Sequence, residues 1–362
     1  MSQKRKPFRI NVPRYAVFLL IILGIAIRLF MIIFYYYANL TPQIQWGGWG
    51  DVSLNYDDID SVFTGEWIWG KRDLAYPPLS IFFLVFLRVM SFGNFLVFAF
   101  YSFLLELIVA LLFYVVLIKF EIPNRNLVYG IFLVNPFYFL NYVFSASNVG
   151  YHITDSFFCL FLVIALIFYP RDNKSLYYLF LGLSMCAKWY TLPAAALIFL
   201  KYFMEKDWNE IKKIFTFIGI PIIIFLISPI FYLPNYLDLY YDWFIREEGS
   251  TIQGIPLYIK VLPFIVLTLL YLIFRMKKAD ILEMSFFSIV LMSSVMLFVK
   301  LFVRYLTPLI YYGHLKTNKK IFEFNADFKI IKIKIDVGNH LLTFILSVIG
   351  CIVAIGIILF VF

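Results

Sequence analysis

Long apolar runs separated by short charged linkers set the pattern of the chain. Tyr15 to Tyr37, Phe95 to Phe120 and Leu341 to Phe362 each reach the roughly 20 apolar residues that a helix needs to cross a bilayer. Similar runs near 127–145, 155–169, 213–233 and 256–274 predict further spans. Leu176 to Met204 is bounded by charge at both ends and predicts two short helices turning near Lys188 to Pro193; Ile281 to Tyr312 repeats the pattern, turning near Lys300 to Tyr305. Pro77 to Met90 is too short to cross, carries Arg88 and opens on Pro77-Pro78, which suits an interfacial or re-entrant helix. Residues Ile321 to Gly338 alternate in polarity and predict a β-hairpin.

Composition sharpens this picture. The chain has 362 residues, of which 63% are hydrophobic and 15% charged, whereas a soluble domain carries about 45–50% and about 25%. A water-soluble fold could not hide that much apolar surface, so lipid is the expected solvent. The net charge of +9 would fit nucleic acid if it formed a patch, but the basic residues fall in clusters between apolar runs, where orientation signals belong. Nucleic acid is therefore not an expected partner. Lys4, Arg5, Lys6, Arg9 and Arg14 precede a long first run without a small-residue cleavage site, which predicts a retained anchor with a cytoplasmic N-terminus.

The linkers KFEIPNR (119–125), RDNK (171–174), EKDWNEIKK (205–213), RMKK (275–278) and KTNKK (316–320) obey the positive-inside rule if all are cytoplasmic. The expected architecture is then an all-α polytopic membrane protein of about 11 transmembrane helices, some in short hairpins. It divides into a basic N-terminus (1–14), a transmembrane module (15–312) with a large external loop (38–94), a cytoplasmic segment with the β-hairpin (313–339) and a last helix (340–362). That parity directs Asp51, Asp57, Asp58, Asp60, Lys71, Arg72, Asp155, Lys188 and Arg304 to one external face.

The external loop contains NYDDIDSVFTGEWIWGKRDLAYPPLSIFF, with Asp57, Asp58 and Asp60 just beyond the first span, at headgroup depth. Sugar transfer from a lipid phosphate needs a base on the acceptor hydroxyl, which a carboxylate supplies. It also needs cations on the departing phosphate, and Lys71, Arg72, Lys188 or Arg304 could serve. Such a transfer releases no nucleotide and requires no metal or other cofactor. The bland readings are a solvated acidic loop, a helix cap at Asp155, and snorkelling of Lys188 and Arg304, although ionisable residues within apolar runs are functional candidates by default. Arg28 and Glu106, inside separate spans, read best as a structural pair. Cys159, Cys186 and Cys351 show no metal-ligand spacing, and His152, His314 and His340 are scattered.

The segments YDDIDSVFTGEW, AYPPLSIFF, LVNPFYF, ITDSFF, GLSMCAKWYTLP and VRYLTPLIYY, in that order, resemble landmarks of GT-C fold glycosyltransferases that use dolichyl or polyprenyl phosphate sugars. The nearest likeness is to GPI mannosyltransferase I and related polyprenyl-phosphate-mannose-dependent enzymes, over about Val17 to Tyr312. The resemblance implies a GT-C-like bundle and makes Asp58 and Asp60 the paired acids, Asp58 being the base by analogy. It matches Tyr76 to a tyrosine-proline element, Asn135-Pro136 to an asparagine-proline pair, Asp155-Ser156 to an Asp-Ser pair, Lys188 with Tyr190 to a Lys-x-Tyr element, and Tyr305 to a late tyrosine. The chain departs from the family pattern with HIT before the Asp-Ser pair, Arg304 where a glutamine is expected, and Gly65-Glu66 after VFT.

The expected function is inverting transfer of a hexose, with mannose leading, from a polyprenyl or dolichyl phosphate donor to a glycolipid or lipid-linked glycan at the outer or lumenal face. The membrane would be the cell membrane, or the endoplasmic reticulum in a eukaryote. Two other readings compete. A transporter or flippase would also bury charges in a bundle, but no internal repeat is evident. A non-catalytic subunit of a glycan-assembly complex would keep the fold without the chemistry.

Overall fold

A computed structural model describes residues 14–40, 55–57, 59–60, 76–122, 125–134, 153–171, 173–227, 257–300, 315, 322–327 and 332–337. These residues are mostly helical. The helix α1 spans Arg14–Leu40, α2 Pro78–Met90, α3 Phe95–Lys119, α4 Arg125–Leu133, α5 Ile153–Phe168, α6 Lys174–Ala187 and α7 Leu192–Glu205. They are followed by α8 Trp208–Ile214, α9 Ile220–Ile227, α10 Leu257–Phe274 and α11 Ile281–Lys300. Among the described residues one helix, α3, is long and apolar enough to cross a membrane by length and composition, with a mean hydropathy of 2.5 over its best window. Two strands, β1 Phe322–Asp327 and β2 Lys332–Val337, pair antiparallel from Phe322 with Val337 to Asp327 with Lys332.

Local chemistry explains where the helices stop. Pro78 occupies the first turn of α2, where its missing N–H costs nothing. The chain turns through Phe92 and Gly93, both with positive φ, and Asn94 then caps α3 by accepting from the Leu96 and Val97 amides. Asn173 accepts from the Leu176 amide at the start of α6, and Asp207 from the Glu210 amide at the start of α8. Between α8 and α9 the helix widens to a π turn over Phe215–Gly219. Pro221 explains it: the ring would collide with the carbonyl four residues back, at Phe217, and the wider turn relieves that contact.

The close crossing of α1 and α4 needs glycine on both helices. A Cβ on Gly24 of α1 would lie 2.4 Å from the Leu133 Cβ of α4, and one on Gly130 would lie 3.0 Å from the Leu20 Cβ. At the same crossing Arg28 reaches out of α1 to Glu106 of α3 at 3.4 Å, to the Gly24 carbonyl at 3.0 Å and to the Leu133 carbonyl at 2.6 Å. The expected Arg28–Glu106 pair is thus present, and it ties three helices together.

The charged linkers near 119–125, 171–174, 205–213 and 275–278 gather at one end. Lys174, at the start of α6, lies 3.7 Å from Glu210 of α8, which also receives Lys213 at 2.8 Å and the Tyr178 hydroxyl at 3.1 Å. Lys201 of α7 donates to the Ala279 carbonyl at 2.5 Å, joining the α7 end to the α10–α11 linker. Phe120 stacks on Tyr169, bringing the end of α3 to the end of α5. Arg275 donates twice to the Glu283 carboxylate, which raises the guanidinium above its usual range, and the Glu210 hydrogen bond likewise raises Lys213. The other ends of α3, α5 and α6 therefore lie together at the opposite pole: the turn at 91–94, the start of α5 and the break at Lys188. Cys159 and Cys186 are free and buried among apolar side chains, so they act as packing residues.

Candidate functional site

Lys188 sits at a backbone interruption. Its φ of −157° and ψ of 143° end α6, and a single 3-10 turn, Trp189–Thr191, leads into α7. Pro193 in the first turn of α7 enforces the interruption, because a continuous helix would drive its ring into the Trp189 carbonyl. Ser184 secures the break from one side by donating to the Leu181 carbonyl and sharing a 2.8 Å hydrogen bond with Thr191. Ser288 of α11 secures it from the other, donating to the Tyr190 carbonyl at 3.0 Å.

The Lys188 ammonium is ion-paired to Asp155. Asp155 lies in the first turn of α5, where the helix dipole favours a carboxylate. The side chains are 13% and 12% exposed, so the pair is largely withdrawn from solvent yet reachable at one edge. Its surroundings come from distant parts of the chain. Ser80 of α2 donates to the Ala187 carbonyl at 2.7 Å, Phe83 meets Phe157 with ring centres 5.0 Å apart, and Tyr190 meets Phe158 at 5.2 Å. The Lys188 Nζ lies 5.6 Å from the Tyr190 ring centre. The segments around Pro77–Ser80, Asp155–Phe158 and Ala187–Tyr190, separated by up to about a hundred residues, thus form one corner.

The acidic segment attaches at the other end of α2. Residues 55–57 and 59–60 are helical, with Asn55 and Ile59 buried and Asp57 exposed. Tyr56 and Asp60, four residues apart and hence neighbours on a helical face, both grip Arg88. Asp60 forms an ion pair with it, and the guanidinium carbon lies 4.2 Å from the Tyr56 ring centre. The Tyr56 hydroxyl donates to the Gly93 carbonyl at 2.5 Å, and its ring meets Phe95 and Phe98 edge-on. Arg88 is eight residues along α2 from Ser80, a rise of about 12 Å. One short helix therefore carries the Asp60 contact and the Lys188 corner at its two ends.

Of the residues given a catalytic or substrate-binding role in the sequence, Asp60, Tyr76, Asp155 and Lys188 are described. Asp155 and Lys188 are partners; Asp60 pairs instead with Arg88; Tyr76 is half-buried against the core that contains Ile81 and Phe157. Asp58, Lys71, Arg72, Arg304 and Tyr305 lie outside the described residues, as do Asn135-Pro136, His152, His314, His340 and Cys351. Helix α5 opens at Ile153, two residues before Asp155, and the carboxylate turns to Lys188. The simple capping reading of Asp155 therefore gives way to an interhelical contact. Sequence reasoning passed over Arg88 as a partner and treated it only as a charge that disqualified a span. The Tyr56-to-Asp60 spacing was the signal, but the arginine it serves lies 28 residues on.

Among the described residues no group of three or more histidine, cysteine or acidic side chains could hold a metal ion. No family model, curated protein or solved structure matches the chain.

Proposed function

We propose that the chain is a multi-pass integral membrane glycosyltransferase of the GT-C type, which transfers a hexose from a polyprenyl or dolichyl phosphate donor to a glycolipid or lipid-linked glycan. Mannose is the proposed hexose. The membrane reading rests on the apolar composition together with apolar side chains turned outward along whole helices, such as Ile259, Leu262, Ile265, Leu269 and Ile273 of α10. The collected Lys and Arg linkers form the cytoplasmic end in this reading, and the pole carrying Asp60, Asp155 and Lys188 faces outward or into the lumen.

The observation that carries the activity is the corner at Lys188. A cation held in a helix break, beside a carboxylate and at the edge of the apolar core, is the arrangement that receives a lipid-borne phosphate. There Asp155 holds the ammonium in place until the donor arrives. In the transfer, the acceptor hydroxyl attacks the anomeric carbon from the face opposite the phosphate, the carbon–oxygen bond to phosphate breaks, and configuration inverts. Asp58 takes the hydroxyl proton. Lys188, with Lys71, Arg72 and Arg304, neutralises the departing polyprenyl phosphate, and Asp60, Tyr76 and Tyr305 line the substrate.

The test is transfer of radiolabelled mannose from polyprenyl phosphate mannose to a glycolipid fraction by the purified chain in nanodiscs. Wild type should transfer, whereas Asp58→Asn and Lys188→Met should each lose at least about a hundredfold at equal folded yield, the scale of removing a general base or a transition-state charge partner. No transfer by wild type with any polyprenyl phosphate hexose would remove the enzyme reading, and equal rates in Asp58→Asn would remove Asp58 as base. For topology, single cysteines placed at Ser53 and Ser175 should label from outside and only after permeabilisation, respectively. The reverse pattern would overturn the orientation.

A further inference from the structure

Asn55 opens the acidic segment and is 2% exposed. Among the described residues its Nδ2 has no hydrogen-bond partner, although the atom itself is shielded from solvent. A buried amide donor left without an acceptor is unfavourable, because it gave up water for nothing. Such a group calls for an explanation, and a ligand that supplies the missing acceptor is one.

The surroundings state what kind of acceptor that is. Asp57 and Asp60 lie two and five residues away, and Asp58 stands between them in sequence. The cation at hand, Arg88, is engaged by Asp60 and covers the Tyr56 ring. Among the described residues the cation at this segment is thus already matched by a carboxylate and does not call for a phosphate, while a neutral amide donor suits a hydroxyl oxygen of a sugar. The segment is also held rigidly: Tyr56 is pinned to Gly93 and Asp60 to Arg88, so the backbone at Asn55 is fixed from its C-terminal side. We propose that Asn55 is a sugar-binding residue whose Nδ2 donates to a hydroxyl oxygen of the transferred hexose. This rests on the glycosyltransferase reading and adds to it a division of labour along α2, with phosphate at the Lys188 end and sugar at the Asn55 end.

The experiment compares thermal unfolding of the full chain in nanodiscs with no ligand, with polyprenyl phosphate alone, and with polyprenyl phosphate mannose. Wild type should be stabilised by both lipids and more by the one that carries sugar. Asn55→Leu should keep the shift from the bare lipid phosphate and lose the extra shift from mannose, with affinity for the sugar donor about tenfold weaker, the worth of one hydrogen bond. Its ligand-free melting temperature should equal or exceed that of wild type, since a buried polar group without a partner has been removed. Asn55→Asp, which keeps the size but cannot donate when ionised, should lose the same increment. An undiminished mannose increment in Asn55→Leu would overturn the assignment, as would a fall in its ligand-free melting temperature with the increment intact, the mark of a packing role. A wild type that responds to neither lipid would instead remove the polyprenyl phosphate reading, and this assignment with it.

Discussion

Two interhelical ion pairs among the described residues, Arg28–Glu106 and Asp155–Lys188, are similar in composition and different in situation. Arg28 and Glu106 are 4% and 6% exposed and lie where α1, α3 and α4 cross, and Arg28 spends further donors on the Gly24 and Leu133 carbonyls. Asp155 and Lys188 are about twice as exposed and lie where a helix begins and another is interrupted. The first pair sits among regular backbone brought close by glycines, and its cation is tied to three helices at once. The second sits where serines 80, 184 and 288 are needed to hold irregular backbone in place. A charge locked into helix crossings serves packing, while the charge at the helix interruption is the one on which the proposed transfer rests. Burial of a charged pair is thus not by itself a sign of function; what the surrounding backbone gives up to place it is.

This contrast can be broken by mutation. The largest effect is expected from Glu106→Leu, which leaves the Arg28 guanidinium buried without its carboxylate and should cost about 3–5 kcal/mol. A denaturation midpoint equal to that of wild type would erase the distinction between the pairs. Gly24→Val should follow at about 1–3 kcal/mol, because its side chain must force Leu133 and α4 away. Lys188→Met should destabilise by a comparable or smaller amount, since its partner Asp155 keeps some access to water, while lowering the proposed transfer at least about a hundredfold. The double variant Asp155→Asn with Lys188→Met should recover part of the stability and none of the activity. Arg275→Ala should be smallest, below about 1 kcal/mol, since its pair with Glu283 is partly exposed at the linker end. High salt should weaken that pair measurably and leave the Arg28–Glu106 pair unchanged.

Much of the helical layout was legible because proline, charged linkers and apolar run length act locally. Pro77-Pro78 announced the start of α2, the apolar run from Phe95 the start of α3, the charged linker before Leu176 the start of α6, and the expected turn near Lys188 to Pro193 the break between α6 and α7. The Arg28–Glu106 pair was also legible, since two opposite charges inside apolar spans have few other ways to be satisfied. The attachment of Asp60 to Arg88 was not. Both residues looked self-sufficient, one as part of an acidic loop and the other as an interfacial cation, and their meeting depends on the Phe92-Gly93 turn folding α2 back beside the start of α3. Glu210 was equally hidden: in sequence it is one charge among many in EKDWNEIKK, and in the fold it accepts from Lys213 and the Tyr178 hydroxyl with Lys174 beside it.

By itself, the sequence determined that the chain is strongly apolar and mostly helical, and where several of its described helices start and stop, because hydrophobicity and backbone preference are properties of neighbouring residues. Tertiary structure alone decided which charges meet, that Asp155 reaches Lys188 rather than capping its own helix, and that Asn55 is buried with its amide nitrogen unmet among the described residues. Those outcomes depend on how α2, α5 and α6 converge, and side chains tens of residues apart acquire their electrostatic surroundings only when packing removes the water between them.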